Sequence, residues 1–422
     1  MDTIVTAPGS LGDVNPMLAV ARQLQLQGRS VVFLAAERYL PLAEKAGLAT
    51  RSLVSEQQFA KVLNNPRLWR PMHGARIILR EVVGDYLESH FAWIEANYRP
   101  GETMLVSHIL DFAGRIFRDL HPEAFLVSVV LAPAILRSTV SPPRLTGRFW
   151  EPAIPRWLRP ATYWVADRGI DLLAGGNINR LRKKVGLLPV RSLLKSWWLS
   201  PDLILGMFPD WFSIPQADLP KQMKLVGFPL ADSGDLISGE QQDELKRTLE
   251  LLDGQPRIVF APGTAHVHAG EFLNTANKVC EKLGQPGVLI SSSAKQIPRQ
   301  ISSHVTAAKY LPFRSLLPQS LAIVHHGGVG TTSQSFAAGI PQLVLPMAFD
   351  QFDNAQRVRQ LGCGNWFPMR KLSTPLLQRN LERILGDQQI RIAAQHVCRQ
   401  VAEHPNGACQ AADQIIAAWN QR

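Results

Sequence analysis

The sequence is poor in cysteine and in acidic residues, and it has no apolar run long enough to cross a membrane. Its 422 residues include 4 cysteines, none in a Cys-x-x-Cys pair, so we expect free thiols in a reducing compartment. The longest uncharged run, residues 315–349, contains glycines, prolines and histidines that exclude a transmembrane helix. Met1-Asp2 leads directly into an apolar stretch. We therefore expect no signal peptide and a cytoplasmic protein.

The length and composition favour a globular protein of two domains. Hydrophobic residues make up 46% of the chain and charged residues 19%, which is typical of folded proteins, and 422 residues exceed one ordinary core. The net charge of +11 is compatible with nucleic-acid binding. No basic stripe on a recognisable nucleic-acid module accompanies it, so we predict no nucleic-acid partner.

Basic residues are concentrated in residues 137–200, which we call the basic-aromatic segment. Few acidic residues oppose them there, and the interleaved aromatic residues are Phe149, Trp150, Trp157, Tyr163 and Trp164. Basic plus aromatic composition is typical of a surface that rests on anionic lipid, and it favours peripheral association with the inner face of the membrane. An equally good interpretation is a solvated basic face whose tryptophans point into the core.

Residues 321–357 contain the most informative pattern. Leu321–Val324 predicts a buried strand, a loop with two histidines and three glycines follows, and Ser333–Ala338 predicts a helix ended by Gly339. A second apolar strand begins at Gln342. Strand, glycine-rich loop, helix and strand is the pattern of a phosphate site, because glycines let an anion reach backbone N–H groups at the helix start. No Gly-Lys-Ser/Thr closes the loop, so it is not a Walker A motif.

The start of the chain predicts a second functional loop. Thr3–Thr6 predicts a strand, and Asn15 before Pro16 predicts the cap of a helix from Met17 to Gln27. This assignment leaves Asp13 free of capping, on a glycine-flanked loop at the carboxyl end of the first strand. Ligands of doubly wound sheets bind at that edge.

The domains predicted from this alternation are 1–230, a linker at 231–242, and 243–405. A final helix in 406–422 is expected to pack back on the first domain.

The motif in residues 325–351 resembles the donor-site signature of family 1 glycosyltransferases, which reads HHGGxGTT, then AGxPQ, then P and DQ. The matching positions are His325–Thr332, Ala338–Gln342, Pro346 and Asp350-Gln351. The resemblance implies two Rossmann-like doubly wound α/β domains facing across a cleft (GT-B). It also implies an inverting, metal-independent transfer from a nucleotide sugar, without a cofactor.

The resemblance also implies roles for individual residues. Asp13 corresponds to the catalytic base, His326 to the phosphate-binding histidine, and Tyr310 to the aromatic that stacks on the base. Asp350 and Gln351 correspond to the pair that binds the sugar hydroxyls. The other donor-binding candidates are Gly12, Gly263, Thr264, Phe313, Gly328, Gly330, Thr331, Thr332 and Gln334. The acceptor-binding candidates are Trp69, Ser107, Trp150 and Trp164.

Two departures from the family pattern bear on these roles. Ser107 occupies the place of an aspartate that orients a histidine base in the plant enzymes, and an aspartate base needs no such partner. Gln334 replaces the glutamate that binds the ribose, which makes a dTDP-linked donor plausible beside a UDP-linked one.

Four short stretches sharpen the resemblance to the rhamnosyltransferases of bacterial rhamnolipid synthesis: residues 65–69, 182–187, 227–230 and 350–355. They imply transfer of L-rhamnose from dTDP-rhamnose to a lipid-like hydroxyl, such as that of a 3-(3-hydroxyalkanoyloxy)alkanoate. The alternative within the family is a UDP-glucose-dependent glucosyltransferase acting on a lipid or aromatic hydroxyl. An alternative of another class is a nucleotide-sugar epimerase, which needs no acceptor, and a third is a donor-binding protein without turnover.

Overall fold

The computed structural model describes residues 2–65, 67–69, 73–144, 154–230, 246, 250, 254–263 and 269–422, without the side chains of residues 81, 82, 85 and 196. The described chain divides into two units. The first comprises the described parts of Met1–Pro143, Arg148–Pro229 and Pro405–Arg422, and the second those of Arg144–Gly147 and Leu230–His404. The predicted linker, 231–242, lies outside the described residues.

The first unit is built on a parallel sheet with the strand order β3-β2-β1-β4-β5-β6-β7 among the described residues. The strands are β1 Thr3–Ala7, β2 Val31–Ala35, β3 Ala49–Ser52, β4 Met104–His108, β5 Phe125–Val130, β6 Leu203–Gly206 and β7 Met223–Leu225. The strands β1, β4 and β5 are buried along their whole length, as expected of parallel strands covered on both faces. β1 and β4 pair with Thr6 opposite Ser107, so the segments that follow both strands emerge side by side.

Helices connect these strands. They are α1 Leu11–Leu26, α2 Leu40–Lys45, α3 Glu56–Leu63, α4 His73–Ile77, α5 Val83–Asn97, α6 Phe112–Leu120 and α7 Arg159–Lys184. Two π-helical turns, Ile78–Val82 and Leu193–Trp197, and three 3₁₀ turns, Glu37–Tyr39, Pro133–Ile135 and Arg156–Leu158, complete the described connections. None of the helices within the described ranges is long and apolar enough to cross a membrane.

The second unit repeats the plan with the strand order β10-β9-β8-β11-β12-β13. Its described strands are β8 Arg257–Ala261, β9 Gly287–Ile290, β10 Val305–Ala308, β11 Ser320–His325, β12 Gln342–Val344 and β13 Gly364–Trp366. β8 and β11 pair with Ala261 opposite His325. The glycine loops that follow these two strands are therefore neighbours at the carboxyl edge.

The described helices of the second unit are α8 Gly270–Leu283, α9 Phe313–Leu316, α10 Val329–Ala338, α11 Gln351–Gln360, α12 Thr374–Gly386 and α13 Gln388–Glu403, with 3₁₀ turns at Ala294–Gln296, Leu317–Gln319 and Met369–Lys371. The last helix, α14 Gly407–Asn420, belongs to the first unit. There the Gly407 N–H donates to the Phe228 carbonyl at 2.9 Å, and Gln27 Nε2 donates to Asp413 Oδ1 at 2.7 Å. The predicted class, two doubly wound α/β domains, is confirmed within each unit.

Two helices begin earlier than their sequence patterns predict. α1 starts at Leu11 with Ser10 as its N-cap, and the predicted cap Asn15 lies in its second turn, followed by Pro16. α10 starts at Val329 with Gly328 as its N-cap, four residues before the predicted Ser333. In both cases the polar and small residues predict a loop, whereas the structure shows the first turn of the helix. The N–H groups of that turn have no intrahelical acceptors.

Candidate active site

Asp13 lies in the first turn of α1 and is held there by the helix cap. Its Oδ2 accepts hydrogen bonds from the Ser10 N–H at 2.8 Å and from the Ser10 hydroxyl at 3.1 Å. The expectation that Asp13 is free of capping is therefore wrong, because an acid at the third helical position reaches back to the cap residue. The carboxylate nevertheless keeps a side-chain exposure of 33%. Capping thus fixes one oxygen and leaves the other available to a ligand.

The free oxygen of Asp13 faces His108, the last residue of β4. His108 Nε2 lies 3.7 Å from Asp13 Oδ1, and the imidazole is 5% exposed. The Leu110 N–H donates to His108 Nδ1 at 3.4 Å. This contact assigns the ring proton to Nε2, which directs an N–H toward the carboxylate.

The imidazole of His108 is neutral at physiological pH. Burial lowers its pKa below the ordinary value of 6.5, and the carboxylates of Asp13 and Asp111 only partly oppose that shift. A neutral N–H donor orients a carboxylate without neutralising its charge. His108 is a site residue that the sequence pattern did not predict, although it directly follows the predicted strand Met104–Val106.

A second pair of ionisable groups lies buried beneath the first. His90 Nε2, on α5, is 3.3 Å from Asp111 Oδ1 and 3.4 Å from Thr6 Oγ1. Burial raises the pKa of Asp111, but the charge of His90 and the hydrogen bonds from His90, Gly114 and Ser107 outweigh it, so the pKa lies below 3.8. Asp111 is therefore ionised, and it binds three elements together at this edge of the sheet.

Ser107 has a different role from the one expected. Its hydroxyl donates to Asp111 Oδ2 at 2.7 Å and the residue is 3% exposed. It is therefore committed to the buried network and cannot contact an acceptor, because β4 turns its side chain inward.

The structure describes two of the three predicted acceptor tryptophans, and they differ in exposure. Trp69 is half-buried, Trp164 on α7 is 60% exposed, and Trp150 lies outside the described residues. Trp157 is 79% exposed. The interpretation in which the tryptophans of the basic-aromatic segment point into the core is therefore wrong for Trp157 and Trp164.

In the second unit the two adjacent histidines have opposite roles. His325, the last residue of β11, is fully buried; its Nδ1 accepts from the Gly327 N–H at 3.1 Å, and its Nε2 donates to Gln342 Oε1 at 3.1 Å. Burial lowers the pKa of His325 to about 3, with His326 adding to the shift and Gln342 opposing it. His325 is thus a neutral structural group that shapes the loop.

His326 lies between two glycines. A Cβ atom on Gly263 would lie 2.6 Å from His326 Cε1, and one on Gly328 would lie 2.6 Å from His326 Nε2. Any other residue at either position would displace the ring. Gly263 also has a φ of +97°, a conformation that favours glycine. The pairing of β8 with β11 therefore positions the predicted phosphate-binding imidazole against both glycine loops.

The start of α10 presents backbone donors beside His326. Gly330 is exposed and Thr331 half-buried in its first turn, where N–H groups have no intrahelical acceptor. Thr332 differs from its prediction: it is fully buried and its hydroxyl donates to the Gly328 carbonyl at 3.0 Å. The hydroxyl of Thr332 therefore stabilises the turn and is not available to a phosphate.

The start of α11 completes this site. Asp350 is half-exposed, and its Oδ2 accepts from Asn354 Nδ2 at 2.8 Å. Gln351 is 3% exposed, and its Oε1 accepts from the N–H groups of Met347 and Ala348. The side-chain oxygen of Gln351 is thus bonded to the backbone of its own loop. It is not available for the predicted contact with the sugar hydroxyls. Asn354 also donates to the Gly327 carbonyl at 2.9 Å, so it ties α11 to the glycine loop.

The remaining donor-binding candidates differ in their exposure to solvent. Tyr310 is 36% exposed just before α9 and Phe313 is half-buried at its start. Gln334 is half-buried on α10 and Gly12 is exposed on α1. Thr264 lies outside the described residues. Among the residues that the structure describes, no group of three or more histidine, cysteine, aspartate or glutamate side chains could hold a metal ion.

Comparisons with known proteins give the class of this enzyme. Residues 286–417 match the family described as "Erythromycin biosynthesis protein CIII-like, C-terminal domain". Over 432 residues the chain is 24% identical to a sterol 3-beta-glucosyltransferase of Komagataella phaffii, covering 96% of this chain but only 33% of that protein.

Two solved structures extend the comparison to the fold. The glycotransferase of kitacinnamycin has a TM-score of 0.73 at 16% identity, with 99% of each chain covered. Spinosyn rhamnosyltransferase SpnG, solved with thymidine diphosphate, has a TM-score of 0.66 at 19% identity, covering 97% of this chain and 98% of that one.

The fold and these similarities define the protein as a glycosyltransferase with the two-domain GT-B fold. The matched residues 286–417 are similar to the EryCIII-like C-terminal domain, and most of them lie in the second unit. The predicted enzyme class is confirmed at this level, and the sugar and the acceptor stay predictions.

Proposed function

We propose that the protein is an inverting, metal-independent transferase that moves L-rhamnose from dTDP-rhamnose to the hydroxyl of a lipid-like acceptor such as a 3-(3-hydroxyalkanoyloxy)alkanoate. The observation that carries the proposal is the accessible carboxylate of Asp13 held against the neutral imidazole of His108. A binding protein without turnover has no need of this pair, and an epimerase has no acceptor hydroxyl to deprotonate.

On the acceptor side, Asp13 is the general base. Its Oδ2 accepts from Ser10, and its Oδ1 faces Nε2 of His108 at 3.7 Å, slightly beyond a direct hydrogen bond. The acceptor hydroxyl gives its proton to this carboxylate as its oxygen bonds to the anomeric carbon and the bond to the diphosphate breaks. Of the groups assigned to the reaction, His108 lies next to the base alone, so it acts as a positioning residue.

On the donor side, the leaving diphosphate gains negative charge as that bond breaks. His326 and the free N–H groups of Gly330 and Thr331 are the donors available to it, and the positive end of the α10 dipole adds to their effect. We propose that these groups supply the stabilisation that a divalent cation supplies in metal-dependent transferases. Asp350, through its half-exposed carboxylate, accepts from the sugar hydroxyls.

Thymidine diphosphate is favoured as the donor nucleotide. Gln334 is neutral where the family has a ribose-binding glutamate, which weakens discrimination for a 2′-hydroxyl, and a structural neighbour was solved with thymidine diphosphate. The lipid acceptor is favoured by the relative that glucosylates a sterol. Transfer of glucose from UDP-glucose is the alternative.

Product analysis tests the proposal. The protein is incubated with dTDP-rhamnose or UDP-glucose, each with a 3-(3-hydroxyalkanoyloxy)alkanoate, and the products are weighed by mass spectrometry. We expect a rhamnosyl adduct from the first mixture. A glucosyl adduct alone would replace the sugar assignment, and interconverted nucleotide sugars without any adduct would favour the epimerase.

We also propose that the enzyme rests on the inner face of the cell membrane through α7 and the turn before it. Trp157, Trp164 and Leu172 are 79%, 60% and 84% exposed. The acids of this segment face inward: Asp167 is 3% exposed beside Arg137, and Asp171 accepts from the backbone N–H groups that follow residue 191. Arg156 is an exposed cation of this face, while Arg159 donates to backbone carbonyls and Arg168 pairs with Asp171 at 3.8 Å. Exposed apolar side chains beside basic residues fit a surface of anionic lipid.

Vesicle sedimentation tests this surface. We expect wild-type protein to bind vesicles that contain phosphatidylglycerol and not pure phosphatidylcholine, and to lose this binding in the double variant Trp164→Glu, Leu172→Glu. Leu26→Glu, at a leucine 75% exposed on α1, is the matched control and should bind like the wild type. Equal binding by the double variant would refute the assignment.

A further inference from the structure

A cavity of about 460 Å³ in the first unit has a strongly basic lining. It is built from Asn65 and Arg67 after α3, from α4 and from the π-helical turn that follows. The described residues that line it are Asn65, Arg67, His73, Arg76, Ile77 and Arg80. Three of these six carry a permanent positive charge and none is acidic. The volume is that of a site for a small molecule.

The three guanidinium groups have no counterion among the side chains that the structure describes, which do not include those of Glu81 and Asp85. Arg67, Arg76 and Arg80 are exposed and form no ion pair there. Other arginines of the same unit do: Arg115 pairs with Asp119 and Arg118 pairs with Asp202. Like charges that share one concave surface repel each other, and an anion bound between them removes that repulsion.

The position of the cavity relates it to the catalytic edge. α5 carries His90, which contacts Thr6 near the carboxyl end of β1, and the helix runs from there toward the start of β4. α4 and the π-helical turn precede α5, so they lie beyond the carboxyl edge of the sheet, where ligands of doubly wound sheets bind. π-helical turns are frequent at functional sites.

We propose that this cavity binds the carboxylate of the acceptor, a carboxylic acid with apolar chains. The inference rests on the proposed function, since it assigns the end of the acceptor that does not react. Guanidinium groups match a carboxylate with paired N–H donors. Ile77, at 7% exposure, supplies an apolar wall for the adjoining chain.

The free acid and the methyl ester of one acceptor distinguish this role. We expect Arg76→Gln and Arg80→Gln to raise KM for the acid about 10- to 100-fold, since a charge-assisted hydrogen bond contributes about 1.5–3 kcal/mol, and to leave KM for the ester unchanged. Arg22→Gln, an exposed arginine on α1, is the control and should change neither. Equal effects on acid and ester, or no effect on either, would overturn the proposal.

Calorimetric titration with dodecanoate separates this inference from the proposed function, because it needs no turnover. We expect wild-type protein to bind dodecanoate and Arg76→Gln to lose that binding, even if no sugar is transferred to any acceptor. Unchanged binding in the variant, or binding of inorganic phosphate in place of dodecanoate, would refute a carboxylate site.

Discussion

The carboxyl edges of the two sheets differ in the chemical groups that line them. At the first, ionisable side chains dominate: Asp13, His108, His90 and Asp111 lie within two linked pairs. The second edge has glycines at the positions next to the ring of His326, and its donors are backbone N–H groups. Two sheets of the same doubly wound type thus support two kinds of chemistry.

The difference follows from what each edge must do. A base has to exchange a proton, so it needs a titratable group whose environment is fixed by partners. An anion site has to bring fixed dipoles close to a charge, so it needs bare backbone and one positioned donor. Substitutions at the first edge should change the chemical step, and those at the second should change how charge is stabilised.

The largest expected effect is at the base. Asp13→Asn keeps an oxygen that can accept from Ser10, so the helix cap is preserved, but it cannot take a proton. We expect kcat to fall about 10²- to 10⁴-fold with donor affinity unchanged, measured by product formation and nucleotide titration. Asp210→Asn, at an exposed aspartate, is the control. Near-normal turnover in Asp13→Asn would show that Asp13 is not the base, and it would contradict the distinction drawn between the two edges.

The next effect is at the imidazole of the second edge. His326→Ala removes a donor to the leaving diphosphate while leaving the backbone N–H groups of α10. We expect about a 10²- to 10³-fold loss of kcat, as for removal of one charge-stabilising donor, with thermal stability retained. A variant that loses stability but not activity would show that His326 has only a structural role.

A smaller loss is expected when the ring of His326 is displaced rather than removed. The Cβ atom of Gly328→Ala would lie 2.6 Å from Nε2, and a misplacement of about 1 Å can cost about 10²-fold in rate. Gly386→Ala, where a Cβ atom meets nothing within 4 Å, is the matched control. Kinetics of Gly328→Ala equal to those of the control would place the catalytic donor elsewhere.

We expect kcat to fall about tenfold when His108 is replaced by leucine, because His108 acts through another residue. His108→Leu removes the N–H that orients Asp13 Oδ1, whereas His108→Gln keeps a side-chain donor. We therefore expect kcat to recover partly in the glutamine variant at unchanged KM. Equal activity of the two variants would show that packing alone accounts for the effect.

The smallest effect concerns His325 and its neutral state. Its pKa is about 3 when folded against 6.5 ordinarily, so between these values the unfolded chain binds a proton that the folded chain does not. The free energy of unfolding should therefore fall as pH drops through this window, by at most about 1.4 kcal/mol per pH unit. Denaturation at several pH values should show a shallower slope in His325→Gln than in His396→Gln, an exposed control. Parallel slopes would contradict a buried neutral imidazole.

The sequence predicted the second edge better than the first. The loop of the second edge is contiguous, so residues 325–339 alone predict its glycines, His326 and the helix that follows, although that helix begins at Val329 and not at Ser333. At the first edge the sequence predicts Asp13 but not its capping by Ser10, because Asn15-Pro16 is itself a common helix start and lies inside the helix here. His108 and Asp111 were missed because they lie about a hundred residues from Asp13 in the chain, where no local pattern links them.

The sequence by itself determined the alternation of buried strands and amphipathic helices and the glycine loop, because each depends on residues close together in the chain. The enzyme class followed from the resemblance of that loop to a known family. Only the tertiary structure decided which polar groups face each other. The pairing of β1 with β4 brings Asp13 to His108, and that of β8 with β11 places His326 between two glycines. Between α3 and α5, the fold brings Arg67, Arg76 and Arg80 to one cavity. Their electrostatics depend on burial and on distances across strands, which a linear pattern does not contain.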